Sequence, residues 1–217
     1  MIQITQTDVS TDDNYIACLR EEFSYRSCVT LPHLLGPSLL QHVLRRLATA
    51  NFMARVEVDE GEEFGQLMCL PSTDPTLFLF HLLLNRPKLF HVIERITGCA
   101  PIGNFFGRIH RSYPAAHHHI AWHGDNADSR LIGLTPNFST AEYSGGVFQL
   151  RDQRSKRMLH EITKVGLGDA FIFRIAPALQ HQLTPVDRGG CRTVGVGWFR
   201  AQPDWPIFAK AYFLPSS

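Results

Sequence analysis

From Ile102 to Phe199 the chain is cut into short apolar runs, each bounded by glycine, proline or a charged cluster. The runs Ile102 to His110, His118 to Asp125, Leu131 to Pro136, Gly146 to Leu150, Ala170 to Ile175 and Cys191 to Phe199 have the length of strands rather than of stable helices. Many short strands separated by turn signals predict a double-sheet antiparallel fold, and the mouth between two such sheets is the natural place for a small ligand. The first hundred residues read differently. Gly36-Pro37-Ser38 opens a helix, because proline at the first turn lacks only an N–H that would be unpaired there. Leu39, Leu40, Val43, Leu44 and Leu47 then form one apolar stripe with Gln41, Arg45 and Arg46 facing outward. Asp74-Pro75 starts a second helix through Leu84, and Pro87 starts a third that runs to Thr97 and stops at Gly98. Ser27 to Leu34 reads as a strand, and Asn51 to Leu70, with its Gly-Glu turn, as an irregular segment or a hairpin. No repeat, low-complexity tract or linker divides the chain, so residues 1–217 are expected to form one domain, with 1–100 as helical support and 101–217 as the β core.

The chemistry concentrates between His117 and Arg192. In an extended segment side chains alternate faces, so His123 and Asp125 would point one way and Trp122 and Gly124 the other. A third ligand must come from downstream, where the chain offers His160 and His181. His160 follows Arg151-Asp152-Gln153-Arg154-Ser155-Lys156-Arg157, which reads as a solvated turn. His181 follows the turn and apolar strand Gly168-Asp169-Ala170-Phe171-Ile172-Phe173 and is preferred. Two histidines and one carboxylate are the set that grips one face of a non-haem Fe(II) and leaves positions open for substrate and dioxygen.

His123-Gly124-Asp125, Tyr143-Ser144-Gly145-Gly146-Val147-Phe148-Gln149-Leu150, Gly168 to Phe173, His181 and Arg192, in that order, resemble the Fe(II)/2-oxoglutarate-dependent dioxygenases, especially their prolyl-4-hydroxylase-like branch. The match covers roughly residues 105 to 200, and it is the ordered set that is specific, since a lone HxD is a weak signal. The resemblance implies a double-stranded β-helix (a cupin-like jelly roll), mainly β and braced by the N-terminal helices. It implies Fe(II) held by His123, Asp125 and His181, with 2-oxoglutarate and O2 as cosubstrates and ascorbate as a stimulant. Arg192 would clamp the distal carboxylate of 2-oxoglutarate; the plain alternative is a salt bridge to Asp169 or Asp187. A charge within an apolar strand needs a partner, and guanidinium matches a carboxylate in two parallel hydrogen bonds. Tyr113, ten residues before His123, stands where that branch often places a tyrosine that helps hold the cosubstrate. His119 and His117 would share the face of His123, where each could orient a ligand or simply meet solvent. Arg130, Asn126 and Trp122 are weak candidates for substrate contact, and the turn Asp125 to Ser129 follows the metal strand. Gly145-Gly146 has a backbone explanation first. The retained carboxylate Asp125 favours hydroxylation over the halogenation performed by relatives that lack it.

Composition narrows the partners. The formal net charge of +1 removes an electrostatic case for nucleic acid or an anionic membrane. The longest apolar run, Leu77 to Leu84 interrupted by His81, is too short to span a bilayer, and the N-terminus carries no basic and apolar leader. Five scattered cysteines without CxxC spacing suit reduced thiols in a cytoplasm. The expectation is a hydroxylase of a small molecule such as an amino acid or natural-product intermediate, with homodimerisation allowed. A peptidyl hydroxylase and a non-catalytic metal- or ligand-binding β-barrel are the alternatives, and a zinc hydrolase is a weaker one.

Overall fold

The computed structural model describes residues 1–59, 62–114, 116–126 and 129–202. A short ladder pairs β1 (Gln3–Ile4) with β2 (Val9–Ser10). Helix α1 (Asp13–Arg26) follows, capped by the Asp12 side chain, which accepts from the Tyr15 N–H, and ended by Ser27 in a left-handed conformation. Its buried residues Ile16, Leu19 and Phe23 are spaced three and four apart, one helical face. Then come β3 (Cys28–Leu31), α2 (Pro37–Thr49) and the hairpin of β4 (Met53–Asp59) and β5 (Glu62–Cys69). The tip of that hairpin, residues 60–61, lies outside the described residues. Helices α3 (Pro75–Leu84) and α4 (Pro87–Thr97) complete the first hundred residues, and Asp74 caps α3 through the Thr76 N–H. Gly98 stops α4 with a φ of 65°, a conformation glycine adopts without strain.

The second half supplies β6 (Asn104–Ser112), β7 (His119–His123), β8 (Arg130–Pro136), β9 (Tyr143–Gly145) and β10 (Phe148–Asp152). It continues with β11 (Met158–Ile162), β12 (Ala170–Arg174), β13 (Leu179–Leu183), β14 (Val186–Gly189) and β15 (Arg192–Arg200). One antiparallel sheet runs in the order β11-β10-β13-β7-β5-β6-β15-β8-β12-β3, with β4 paired to the outside of β5. It curls into a nearly closed barrel of jelly-roll type. The curl shows in the packing: Phe148 of β10, near one end of that order, lies 4.7 Å from Phe171 and 4.8 Å from Phe173 of β12, near the other. Aromatic rings from distant strands thus close the interior face to face.

The helices brace one side. Leu89, Val92, Ile93 and Ile96 of α4 join Phe105, Ile132, Leu134 and Phe199 in the main apolar cluster. Each such side chain taken fully from water stabilises the fold by about 1.5–3 kcal/mol. Residue 100 is not an edge of the sheet, however. β3 pairs with β12, and β5 pairs with both β6 and β7, so the N-terminal stretch contributes strands as well as helices. Relative to the sequence reading, β1, β2, α1, β11, β13 and β14 are additional elements, and the strand predicted to reach Asp125 ends at His123. The cysteines are all free, and among the described residues no helix is long and apolar enough to cross a membrane.

Candidate active site

β7 and β13 are antiparallel neighbours, and their register sets His123 directly opposite His181. The two rings lie 4.2 Å apart between centroids. Asp125, two residues beyond the end of β7, turns back to the same point. Its Oδ1 is 3.9 Å from His123 Nε2 and its Oδ2 is 3.4 Å from His181 Nε2. Ligand atoms of all three lie within 4.8 Å of one another. The donor set fits a divalent metal of the Fe(II) type. His123 Nδ1 sits 2.8 Å from the Ala121 carbonyl oxygen and donates to it, which leaves Nε2 with the lone pair. Burial pushes the His181 pKa down to about 3, so its imidazole is neutral, as ligation requires. Burial alone would raise the pKa of Asp125, but the two imidazoles, the Arg130 guanidinium and the Trp198 N–H together hold it below the usual carboxylate range.

Two further side chains fix that carboxylate. Arg130 Nη1 donates to Asp125 Oδ1 at 2.6 Å, and Trp198 Nε1 donates to Oδ2 at 2.5 Å. The Arg130 guanidinium stacks on the Trp198 ring, 4.0 Å from its centroid. The weak candidate Arg130 therefore has a definite place, while Trp198 gave no sequence signal because its pairing depends on a contact across 73 residues. The floor is aromatic: Phe173 and Phe148 lie 4.8 and 5.6 Å from the His181 ring, and Phe64 lies 4.8 Å from that of His123. Trp122 points away and stacks under Arg151. His160 is on β11, beyond β10 from His181, and does not reach the cluster. The middle of the turn after Asp125, residues 127–128, lies outside the described residues.

The triad opens into a cavity of about 350 Å³ that Arg192 also lines. Arg192 is buried, and among the described residues no carboxylate pairs with it; the salt bridges to Asp169 and Asp187 weighed above are not formed. Asp169 instead accepts from the backbone of His33 and Gly166. The Tyr143 hydroxyl is a hydrogen-bond partner of Arg192. Gly145 and Gly146 have φ of 77° and 60°, as their backbone explanation requires. At Gly146 a Cβ would also stand 2.8 Å from Arg192 Cδ, so the glycine makes room for the arginine.

Two expected site residues do not line this cavity. Tyr113 is 39% exposed, its backbone N–H donates to His118 Nδ1, and its ring lies beside that of His118. The tyrosine that meets Arg192 is Tyr143. His119 turns back on its own chain, with Nδ1 on the His117 carbonyl, and Ile120 takes its place at the cavity wall. The cause is a register shift: His181 and Leu183, two apart on β13, face His123 and Ile120, three apart on β7. That extra residue reverses the alternation on which the prediction for His119 and His117 rested.

No family model and no curated protein matches the sequence. Solved structures do match it over nearly the whole chain. A prolyl-4-hydroxylase from Pseudomonas putida superposes with a TM-score of 0.62 at 15% identity, covering 87% of this chain and all of the other. An oxidoreductase of the 2OG-Fe(II) oxygenase family from Burkholderia pseudomallei gives 0.64 at 14%, covering 93% and 97%. This is the fold of the 2OG-Fe(II) oxygenases. The α-ketoglutarate-dependent epimerase SnoN of nogalamycin biosynthesis shares it, with 0.62 at 11% identity and coverage of 95% and 92%. At such identities the likeness is one of fold.

Proposed function

We propose that the protein is a non-haem Fe(II)- and 2-oxoglutarate-dependent dioxygenase that hydroxylates an unactivated C–H bond of a small molecule, releasing succinate and CO2. One observation carries this reading: a buried arginine that meets no carboxylate among the described residues lines the same cavity as a convergent His-Asp-His triad. A buried guanidinium without an anion is expensive, so the site is built for one that arrives from solution. The distal carboxylate of 2-oxoglutarate meets that need, held by Arg192 with the Tyr143 hydroxyl beside it.

In this arrangement His123, Asp125 and His181 would hold the iron, which when bound supplies the activation of dioxygen. The protein supplies position. Arg130 and Trp198 keep the Asp125 carboxylate aimed at the metal, and the Ala121 carbonyl fixes the tautomer of His123. Phe64, Phe148, Phe171 and Phe173 keep water from the surroundings of the triad. The cavity volume, about 350 Å³ for cosubstrate and substrate together, favours a small molecule. Among proteins of this fold, a prolyl hydroxylase from Trichoplax adhaerens is seen with a peptide fragment, which keeps peptidyl hydroxylation as the second reading.

The test is succinate formation by purified protein supplied with Fe(II), 2-oxoglutarate and ascorbate, with and without pools of small metabolites. Succinate that depends on both iron and His181 supports the reading. Tight metal binding without succinate under any supplement would make the protein a non-catalytic binder. A mass increase of one oxygen on a protein partner would move the substrate to a peptidyl side chain.

A further inference from the structure

One wall of the cavity contains neither a residue of the triad nor Arg192. It is formed by the inner faces of β4, β5 and β6. The register pairs Arg55 with Leu67, Glu57 with Gly65 and Cys69 with His110, so Arg55, Glu57, Cys69, Arg108 and His110 share one face. Glu57 Oε1 accepts from Arg55 Nε at 2.7 Å and from Arg108 Nη1 at 2.9 Å. Among the described residues these are the only hydrogen bonds of either guanidinium, which leaves the rest of both forks available. His110 is buried, and among the described residues its Nε2 has no partner. Such an atom in a dry site calls for a ligand that can accept or share a proton.

A cation is one candidate. Ligand atoms of Glu57, Cys69 and His110 also lie within 4.8 Å of one another. The charges decide against it: both guanidinium groups sit on the same Glu57 oxygen, where a metal would have to displace or neighbour them. An anion gains from the same field. Arg55, Arg108, Arg130 and Arg192 against Glu57 and Asp125 leave the cavity wall at +2. Fe(II) and the 2-oxoglutarate dianion cancel one another and Asp125 is matched by Arg130, so the two positive charges that remain are that of Arg192, which the distal cosubstrate carboxylate would face, and one more. That second charge lies at the Arg55–Glu57–Arg108 cluster, where two guanidinium groups face one carboxylate. Burial together with Arg108, Arg192 and Arg55 brings the His110 pKa down to about 3, so His110 is neutral and adds no charge.

We propose that this wall is the prime-substrate subsite and that the substrate is a small carboxylic acid, its carboxylate received by the free forks of Arg55 and Arg108 with His110 Nε2 beside it. The inference rests on the oxygenase reading above and adds the substrate's chemical class. A planar carboxylate suits two guanidinium forks better than a point charge would, because each fork offers parallel N–H groups. The Glu57 carboxylate then has a second role. It holds both arginines in place before substrate arrives, so little side-chain entropy is lost on binding.

The experiment uses the full chain loaded with Mn(II), which binds like Fe(II) without turnover, and 2-oxoglutarate. Calorimetric affinities are measured for a panel of small carboxylic acids, N-acyl amino acids included, and for the primary amide of each. The expected result is at least one acid bound about tenfold or more tightly than its amide, with that preference lost in Arg55→Gln and in Arg108→Gln. Their 2-oxoglutarate affinity should stay within about twofold of the wild type. Arg55, at the more exposed end of the cluster, serves if Arg108→Gln does not fold. Acids that bind no better than their amides, or an acid preference that survives both substitutions, would overturn the proposal. So would a loss of 2-oxoglutarate affinity in these variants, since that would make the cluster part of the cosubstrate site. Failure of the wild-type protein to bind 2-oxoglutarate at all would instead strike the oxygenase reading, and this subsite with it.

Discussion

His123 and His181 stand directly across an antiparallel ladder from one another, 58 positions apart in sequence and 4.2 Å apart between ring centroids. Two candidate metal ligands are thus set by the register of a single strand pair, and register is a rigid quantity: a slip of one residue would turn one ring to the other face. His123→Ala or His181→Ala should therefore weaken Mn(II) or Co(II) binding by more than roughly 100-fold, beyond the effect of groups that merely orient a ligand. Calorimetric metal titration checks this, and an affinity within tenfold of the wild type for either variant would displace that histidine from the centre.

Trp198→Phe keeps the ring under Arg130 but removes the N–H on Asp125 Oδ2. Metal affinity should fall by roughly 10- to 100-fold while the fold remains. Loss of affinity together with an unchanged melting temperature of the metal-free protein identifies an orienting role; an unchanged affinity would assign the contact to packing alone.

Arg192→Ala should leave metal binding intact and weaken 2-oxoglutarate binding about 30-fold or more, as expected when one member of a buried charge pair, worth roughly 2–5 kcal/mol, is removed. Arg192→Lys should recover part of that loss, since ammonium supplies charge without the planar fork. Titration of the Mn(II)-loaded protein with 2-oxoglutarate distinguishes these outcomes.

Gly146→Ala tests the room made for the arginine. The new methyl group would meet Arg192 Cδ at 2.8 Å in a backbone with a φ of 60°. Stability should drop by about 1–2 kcal/mol for the left-handed conformation alone, and 2-oxoglutarate affinity should fall with it. A stable variant with normal cosubstrate affinity would mean that Arg192 has space to move.

Stability should fall in acid for a reason lodged in two buried histidines. Burial lowers the pKa of His81 to about 4 and of His110 to about 3, both below the ordinary value of 6.5. Below pH 6.5 the unfolded chain takes up protons that the folded chain refuses, so unfolding is favoured as pH drops. The loss is about 1.4 kcal/mol per pH unit for each histidine between pH 6.5 and the folded-state value. Urea unfolding of metal-free protein at pH 7 and at pH 5 checks this, with His81→Gln expected to flatten the dependence; equal stability at both values would contradict it.

The sheet-forming half was legible in the sequence because apolar runs of strand length between glycines and prolines admit few other structures. The order of His123, Asp125, His181 and Arg192 was legible as well, since each is a chemically conspicuous residue in a readable setting. α1 was passed over because only Ile16, Leu19 and Phe23 of its residues are buried, a faint stripe in a polar segment. Tyr113 and His119 were misplaced for different reasons. Tyr113 was placed by the resemblance alone, and its ring lies beside His118 instead; His119 depended on counting back from His123 by twos, and the register shift in β7 breaks that count. Tyr143, Trp198, Arg108 and His110 have no local signal, because what matters about each is a partner far along the chain.

The amino-acid order by itself determined which side chains could bind a metal or an anion and that they would ride on short antiparallel strands, since residue chemistry and local periodicity are properties of neighbouring positions. Only the tertiary structure decided that His181 faces His123, that Tyr143 rather than Tyr113 meets Arg192, and that Arg55 and Arg108 converge on Glu57. Those outcomes follow from strand register and from how the sheet curls. Register and curl emerge from the packing of the whole core and leave no trace in any single segment.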